Sequence, residues 1–364
     1  MIKEAKIQSD VIITNQIVDE IRKLLKQYEN RSIFVFTDIN TTKFCLPIFS
    51  DLFKTYPISY FEMEPGEENK SMETVVDMWN FFGDNGADRK SLVIQIGGGL
   101  LTDIGGFAAS TFKRGMDFVN IPTTLLSQVD ASVGGKTGFN FNGLKNEIGV
   151  IRQPNRVFID PIFLKTLESN HIISGYAEML KHGFIFDKKH LDLLLQTDIV
   201  QIDSQDVSSL IKRSIEIKDH FVHIDPNEKG IRKALNFGHT IGHSLESFFI
   251  SNHVHPQHGY AVAWGMIAEL YLSYLRKELP LSQVDHYSNE IIKHFGDLPI
   301  KIEKKHYDTL LQWISKDKKN EGKKINFTLL SEIGKYSINE DATQEEILDS
   351  IEFLIQKTAN NDEI

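Results

Sequence analysis

The sequence holds a single cysteine, Cys45, so no disulfide can form within the chain. That fits a reducing compartment, and the thiol reads as a small buried apolar residue. No run of about 18 apolar residues occurs, which argues against a membrane helix. The opening segment MIKEAKIQSD lacks the apolar centre of a secretory signal, so a cytoplasmic location is expected. Basic residues are in the minority, 40 Lys and Arg against 50 Asp and Glu, and the net charge of −10 argues against nucleic acid as a partner. There is no internal repeat and no low-complexity tract, and only the tail 357–364, KTANNDEI, reads as frayed. Two common fingerprints are also missing. No glycine run has the G-x-G-x-x-G spacing, and no histidine pair has the H-E-x-x-H spacing.

What is present points to an ordinary globular chain with 41% hydrophobic and 25% charged residues. Its 364 residues exceed what one core usually supports, so one large or two closely packed domains are expected. Short apolar runs at Ile33–Phe36, Leu92–Ile96 and Phe118–Ile121 read as buried strands. Between them, 41–55, 71–86 and 103–112 read as helices. This alternation predicts an α/β, Rossmann-like domain with a mostly parallel sheet. From about residue 163 helical periodicity dominates, over 175–186, 190–196, 206–223, 232–249, 259–277, 281–295 and 303–316. The one strand-like run there is 325–329. The predicted organisation is therefore an α/β domain over 1–162 and an all-helical domain over 163–364.

Gly97-Gly98-Gly99 follows the second strand and precedes a helix expected to begin near Asp103. Glycines there let backbone N–H groups approach a pyrophosphate, although a plain tight turn would look the same. Asp38 and Asn40 sit just after the first strand, where they could contact a ribose or simply cap a helix. Gly135-Lys136-Thr137 superficially resembles a P-loop, but Asp130 stands where its first glycine belongs. Lys136 and Lys145-Asn146 together suggest a basic anion pocket in an acidic protein, against the commoner fate of a lysine as a solvated loop residue.

In the helical half, His239 and His243 lie four apart and share a helix face. His253, His255 and His258 crowd a turn before the next helix, and Glu178 and Glu246 offer carboxylates. A catalytic zinc takes three protein ligands, so two histidines and a carboxylate would suffice. Spacing does not choose between His243 and His258 as the second histidine. His253 and His255 read as exposed. Glu178, Lys181 and His182 fall within about one helical turn, as polar sites and ordinary surface pairs both do.

At this point the chain resembles the sugar phosphate cyclase family, and within it the 3-dehydroquinate synthases. The resemblance is carried, in order, by PGEENKS, GGGLLTDIGGFAAS, FKRGMDFVNIPTTLLSQVDASVGGKTGFN, LKNEIG, LKTL, YAEMLKHG, IRKALNFGHTIGHSLE, HGYAVAWGM and DKK. It implies an NAD-binding N-terminal domain and a C-terminal domain with metal and substrate groups. The implied metal ligands are Glu178, His239 and His258, with His243 moved off the metal to a catalytic role. The implied metal is Zn2+ or Co2+. The implied NAD positions are Asp38, Asn40, Glu67, Lys70, Gly99, Asp103, Thr123 and Thr124, with Lys136 and Lys145 also within reach of the cofactor. Substrate contacts fall on Arg114, Asp130, Lys136, Lys145, Asn146, Lys218 and Arg232. Catalytic roles fall on Lys136, Lys181, Lys218, Arg232, Asn236 and His243. One of Lys318 and Lys319 also matches a substrate position.

The implied substrate is a phosphorylated sugar acid, 3-deoxy-D-arabino-heptulosonate 7-phosphate, and the implied assembly is a homodimer. The implied reaction is transient oxidation of a ring hydroxyl by NAD, elimination of phosphate, re-reduction, ring opening and an intramolecular aldol closure. This is lyase chemistry without net oxidation, on the shikimate route to aromatic amino acids. The substrate phosphate serving as base would explain the lack of a dedicated general base. Two positions depart from the family pattern: Thr102 replaces a usual glycine, and Tyr260 a common glutamate. Three rival readings are a sister cyclase on another sugar phosphate, a metal- and NAD-dependent polyol dehydrogenase, and a nucleotide-binding regulatory protein. The first would lack the joint carboxylate contacts of Lys145, Asn146 and Arg232. The second would accumulate NADH. The third would have lost a ligand or lysine.

Overall fold

The computed structural model of the protein describes residues 10–142, 144–201, 204–315 and 325–359. Lys318 and Lys319 lie outside them. By internal contacts the chain divides into two compact units. Among the described residues, the N-terminal unit comprises 10–168 with 204–223, and the C-terminal unit comprises 169–201 and 224–359. The division thus falls at 168/169, where the sequence suggested 162/163. It also assigns most of helix Ser204–Ile224, and with it Lys218, to the N-terminal unit.

The N-terminal unit is built on strands β1 (Val11–Ile13), β2 (Ile33–Asp38), β3 (Ile58–Met63), β4 (Leu92–Gly97), β5 (Asp117–Pro122), β6 (Lys136–Phe141), β7 (Leu144–Ile151) and β8 (Arg156–Ile159). Six of them form one parallel sheet in the order β1-β8-β5-β4-β2-β3. Successive side chains point to opposite faces of a strand. Ile33, Val35, Leu92, Ile94, Ile96, Val119 and Ile121 accordingly enter one core with helix Ile17–Gln27. Phe34, Phe36, Val93 and Phe118 enter the other, with helices Met72–Asp84 and Gly99–Thr111. Both faces are covered, which is why these strands read as unbroken apolar runs.

Chain order reverses at β2. The chain moves outward from β2 to β3, then returns to place β4 on the other side of β2. The carboxyl ends of β2 and β4 therefore flank a topological switch point, where open α/β sheets bind ligands.

Three expected helices differ. The segment 232–249 is divided into a 3-10 helix, Ile231–Asn236, and helix His239–Ser251, with Gly238 at φ +79° between them. The segment 41–55 is broken into Ile39–Phe44, a 3-10 turn Leu46–Phe49 and a short helix Ser50–Phe53, because Pro47 cannot donate to a continuous ladder. The helix after the glycines begins at Gly99, not Asp103, with Gly98 as its N-cap. β6 and β7 pair as an antiparallel hairpin in which Gly138 faces Gly149. A Cβ at Gly138 would lie 2.4 Å from the Ile148 carbonyl oxygen, so the glycine-bearing segment that read as a loop is a closely paired strand.

The C-terminal unit is helical: Ser169–Phe186, Lys188–Leu195, His239–Ser251, His258–Lys277, Leu281–Phe295, Tyr307–Ser315 and Gln344–Ala359. It also carries one antiparallel hairpin, β9 (Phe327–Glu332) and β10 (Lys335–Glu340), so the unit is not wholly helical. Its centre is helix His258–Lys277, buried on nearly all sides as befits a helix apolar all round. It crosses helix His239–Ser251 at backbone distance. A Cβ at Gly265 would sit 2.0 Å from the Gly238 carbonyl oxygen, and one at Gly242 2.8 Å from that of Ala261. No helix among the described residues is long and apolar enough to cross a membrane.

Candidate functional site

In the N-terminal unit the implied cofactor positions gather at the carboxyl ends of the strands. Asp38 closes β2 and caps the next helix, its carboxylate accepting from Thr41 N at 2.8 Å while Asp38 N donates to Thr41 Oγ1 at 2.9 Å. Capping and ribose contact thus compete for one carboxylate, and Asn40 is exposed beside it. At the end of β4, Gly98 N-caps helix Gly99–Thr111 with no side chain to offer, leaving the first N–H groups of the helix to an anion. None of these three glycines has positive φ. They are needed for close packing: a Cβ on Gly99 would lie 2.9 Å from Ala131 and one on Gly98 3.2 Å from Thr124. Thr102 fits as a helical residue whose hydroxyl donates to the Gly99 carbonyl at 3.1 Å.

Behind this ledge is a charged chain. Buried Lys70 donates to Asp103 Oδ2 at 2.7 Å and to Asn146 Oδ1. Burial pushes the Asp103 carboxyl up, and Lys70 opposes that rise. Asn140 ties in Glu67, donating to its Oε1 at 2.9 Å, and accepts from Asn146 N at 2.9 Å. Thr123 N donates to the Gly97 carbonyl at 3.0 Å and Thr124 bonds Ser127, fixing the loop after β5. The loop then makes a π-helical turn, Ser127–Ala131, that presents Asp130. Lys218, from helix Ser204–Ile224, binds Asp130 Oδ1 at 2.8 Å and the Asp130 carbonyl. Lys136 and Lys145 are exposed on the β6–β7 hairpin. Arg114 stands apart. It precedes β5, beside a cavity of about 490 Å³ lined by Asp88, Arg89, Lys90 and Lys113, at the opposite end of the strands from Asp38 and Gly99.

The C-terminal unit gathers the implied metal ligands. Helix Ser169–Phe186 carries Glu178, Lys181 and His182, all buried, and Lys181 Nζ pairs with Glu178 Oε2. His239 and His258 are each the first residue of a helix. His239 Nδ1 faces the Phe237 carbonyl at 3.1 Å. A carbonyl only accepts, so the proton sits on Nδ1 and Nε2 keeps its lone pair. His258 Nδ1 faces Glu246 Oε2 at 3.5 Å, with the same consequence. The two Nε2 atoms then lie 3.4 and 3.9 Å from Glu178 Oε1. Ligand atoms placed about 2.0–2.1 Å from a tetrahedral ion are about 3.3 Å apart. The Glu178–His239 distance matches that spacing and the Glu178–His258 distance is longer, so a zinc-like ion would draw His258 inward.

His243 is also close. One ring nitrogen of each of His239, His243 and His258 lies within 4.8 Å of the others. Arg232 is buried and donates to the Pro226 carbonyl at 2.8 Å, and Asn236 donates to Glu228 Oε1 at 2.9 Å. His253 and His255 are exposed, as the sequence suggested. Tyr260 packs edge-on against Phe295, with ring centroids 5.5 Å apart. The sequence did not single out Ser174 or Glu269. Glu269 had a signal, a lone charge within the apolar stretch 261–272.

Solved structures with this fold include an iron containing alcohol dehydrogenase, 15% identical, TM-score 0.67, covering 97% of this chain and 99% of that one, and, at higher TM-score, sugar phosphate cyclases. One is a 2-epi-5-epi-valiolone synthase from Streptomyces hygroscopicus with NAD+ and Zn2+ bound, 25% identical, TM-score 0.84, covering 97% of this chain and 98% of that one. Another is a 2-deoxy-scyllo-inosose synthase complexed with carbaglucose-6-phosphate, NAD+ and Co2+, 21% identical, TM-score 0.84, covering 94% of this chain and 95% of that one. The sequence narrows the class. The family models for the 3-dehydroquinate synthase N-terminal and C-terminal regions match residues 60–174 and 175–320. A 3-dehydroquinate synthase from Parabacteroides distasonis is 44% identical over 95% of this chain and 98% of its own length. The chain belongs to the 3-dehydroquinate synthase family.

Proposed function

We propose that the protein converts 3-deoxy-D-arabino-heptulosonate 7-phosphate into 3-dehydroquinate and inorganic phosphate, with NAD and Zn2+ or Co2+ as cofactors. The observation that carries this reading is the meeting of Glu178 Oε1 with the two Nε2 atoms of His239 and His258, in a chain of this family. Glu178, His239 and His258 would hold the metal. The glycine ledge at Gly97–Gly99, with Asp38, Asn40, Glu67, Lys70, Asp103, Thr123 and Thr124, would hold NAD. Once bound, NAD supplies a reversible hydride acceptor and the metal a Lewis acid at the same substrate hydroxyl.

The remaining work falls to side chains. The substrate carries a carboxylate and a phosphate, so it needs converging cations. Lys136, Lys145 and Lys218 offer them in the N-terminal unit, and Lys181 and Arg232 in the C-terminal unit. Asn146 and Asn236 add amides that orient hydroxyls, and Asp130 holds Lys218 in place. His243 stands beside the metal ligands with an imidazole able to pass a proton. Arg114, matched to a substrate position by motif, lies away from the other N-terminal positions within this chain. The phosphate leaving group takes up the proton its own departure requires, so no separate base is assigned. We place the protein in the cytoplasm as a homodimer, with neither nucleic acid nor membrane as a partner.

Incubating the protein with the heptulosonate phosphate, zinc and catalytic NAD should release phosphate with no net NADH. Stoichiometric NADH would mark a dehydrogenase instead. Absence of phosphate release from metal-loaded, folded protein would end the substrate assignment.

A further inference from the structure

We propose that Glu269 is a positioning residue for the metal centre, fixing His239 by capping its helix from a neighbouring helix. The proposal rests on the reading of His239 as a metal ligand. A helix leaves its first N–H groups without intrahelical partners. In helix His239–Ser251 the usual remedy, a Ser, Thr or Asp at the N-cap, is barred. The N-cap is Gly238 at φ +79°, and a Cβ there would meet Met266 Cγ at 2.4 Å and the Val262 carbonyl oxygen at 2.9 Å. The cap comes instead from helix His258–Lys277. Glu269 Oε2 accepts from Gly238 N at 2.7 Å, and its Oε1 accepts from Thr240 N at 3.0 Å and Ile241 N at 3.2 Å. These donors flank His239 on both sides, so its Cα cannot shift without breaking them.

Glu269 is fully buried. A buried carboxylate is unfavourable unless several donors and a helix N-terminus compensate it, as they do here. The arrangement repeats at the other histidine. In the first turn of helix His258–Lys277, Gly259 N donates to Ser174 Oγ at 3.0 Å, and Ser174 lies one turn before Glu178 on the ligand's own helix. Glu246, on the His239 helix, meets the His258 ring. Glu269 and Ser174 thus tie ligand-bearing helices together through backbone N–H groups, and Glu246 does so through the His258 ring itself.

The test is zinc affinity by chelator competition, per folded protein judged by circular dichroism, together with the visible spectrum of the Co2+-loaded form. The set is wild type, His239→Ala, Glu269→Gln, Glu269→Ala and Ser273→Ala. Ser273 is a buried hydrogen-bonding residue on the same helix, four residues from Glu269, that bonds the Glu269 carbonyl and Leu330 N. It therefore controls for general loosening of that helix. Glu269→Gln keeps one accepting oxygen and should weaken zinc about 10–100-fold, the range for groups that orient metal ligands, with an altered Co2+ spectrum. Ser273→Ala should stay within about twofold of wild type. If Glu269→Ala does not fold, Glu269→Gln carries the test. Wild-type affinity and spectrum in Glu269→Gln, with His239→Ala losing metal, would overturn the positioning role alone. Wild-type affinity in His239→Ala would overturn the ligand reading and the proposal with it.

Discussion

The two units bring chemistry together in different ways. In the N-terminal unit most of the implied NAD positions lie at the ends of strands or in the turns and first helical turns that follow, and the parallel sheet gathers them by running every strand the same way. The groups offered to a ligand are partly backbone, at Gly98 and Gly99, backed by the Lys70–Asp103 pair. In the C-terminal unit the groups are side chains from three helices, two of them at first positions, and helix crossing gathers them. A strand-end site tolerates change in its loops. A helix-crossing site depends on backbone contacts a helical turn or more from the chemistry.

The sharpest way to break this comparison is at the ligands. His258→Ala and Glu178→Ala should strip the metal and abolish turnover, whereas His243→Ala should keep metal and turn over slowly. Metal analysis after gel filtration decides it, and equal loss in all three would return His243 to the ligand set.

A smaller effect separates the packing modes. Gly265→Ala drives a methyl into the Gly238 carbonyl at 2.0 Å and Gly242 N at 2.6 Å, both backbone. It should cost about 3 kcal/mol. Gly105→Ala in the N-terminal unit meets Gln95 Oε1 at 2.3 Å, the end of a side chain that can turn. It should cost about 1 kcal/mol. Denaturant melts should rank them in that order, and the reverse order would show that the helix crossing yields more easily than the sheet.

The smallest effects are in pH, and they have opposite sign. Burial raises the Asp103 carboxyl, so the folded state holds its proton to higher pH than the unfolded chain. That part of the stability falls as pH rises from the ordinary carboxylate range through the folded pKa. Lys70→Ala removes the opposing cation, so its stability deficit should widen as pH rises above the ordinary carboxylate range. In the C-terminal unit burial against Tyr176 lowers His294, so the unfolded chain binds the proton first. Stability is then lost as pH falls below about 6.5, and His294→Gln should flatten that limb. The same slope in both variants would contradict the assignment of these groups.

Much of this was legible in the sequence where local chemistry decides. The apolar runs at 33–36, 92–96 and 118–121 are central strands because both their faces are covered. The edge strand β3, with alternating exposed positions, lacks that signal, and the edge strand β1, Val11–Ile13, is apolar but only three residues long. Residues 41–55 look amphipathic throughout, and only Pro47 interrupts them. The helix at Gly99 begins four residues early because capping rules favour Thr102 or Asp103 over glycine, while packing against Thr124 and Ala131 permits only glycine there. At the metal cluster, spacing offers His243 and His258 equally as the partner of His239. The tautomers that single out Nε2 of His239 and His258 depend on Phe237 and Glu246, and on how the two helices cross. Glu269 and Ser174 act across helices, so no window of sequence contains both a cap and the helix it caps.

The crossing at Gly238, Gly242 and Gly265 also changes what the motif lettering means. GHTIG and HGYAVAWG read as two separate strings of ligands, yet their glycines are halves of one contact, each useful only if the other is present. A relative that kept every histidine but gained a side chain at one of these glycines would carry the ligands without the distance between them. Transplanting the histidines alone onto another helical scaffold would fail for the same reason. The unit of inheritance here is the pair of helices with its glycine seam, and His239 and His258 travel with it, while Glu178 comes from a third helix.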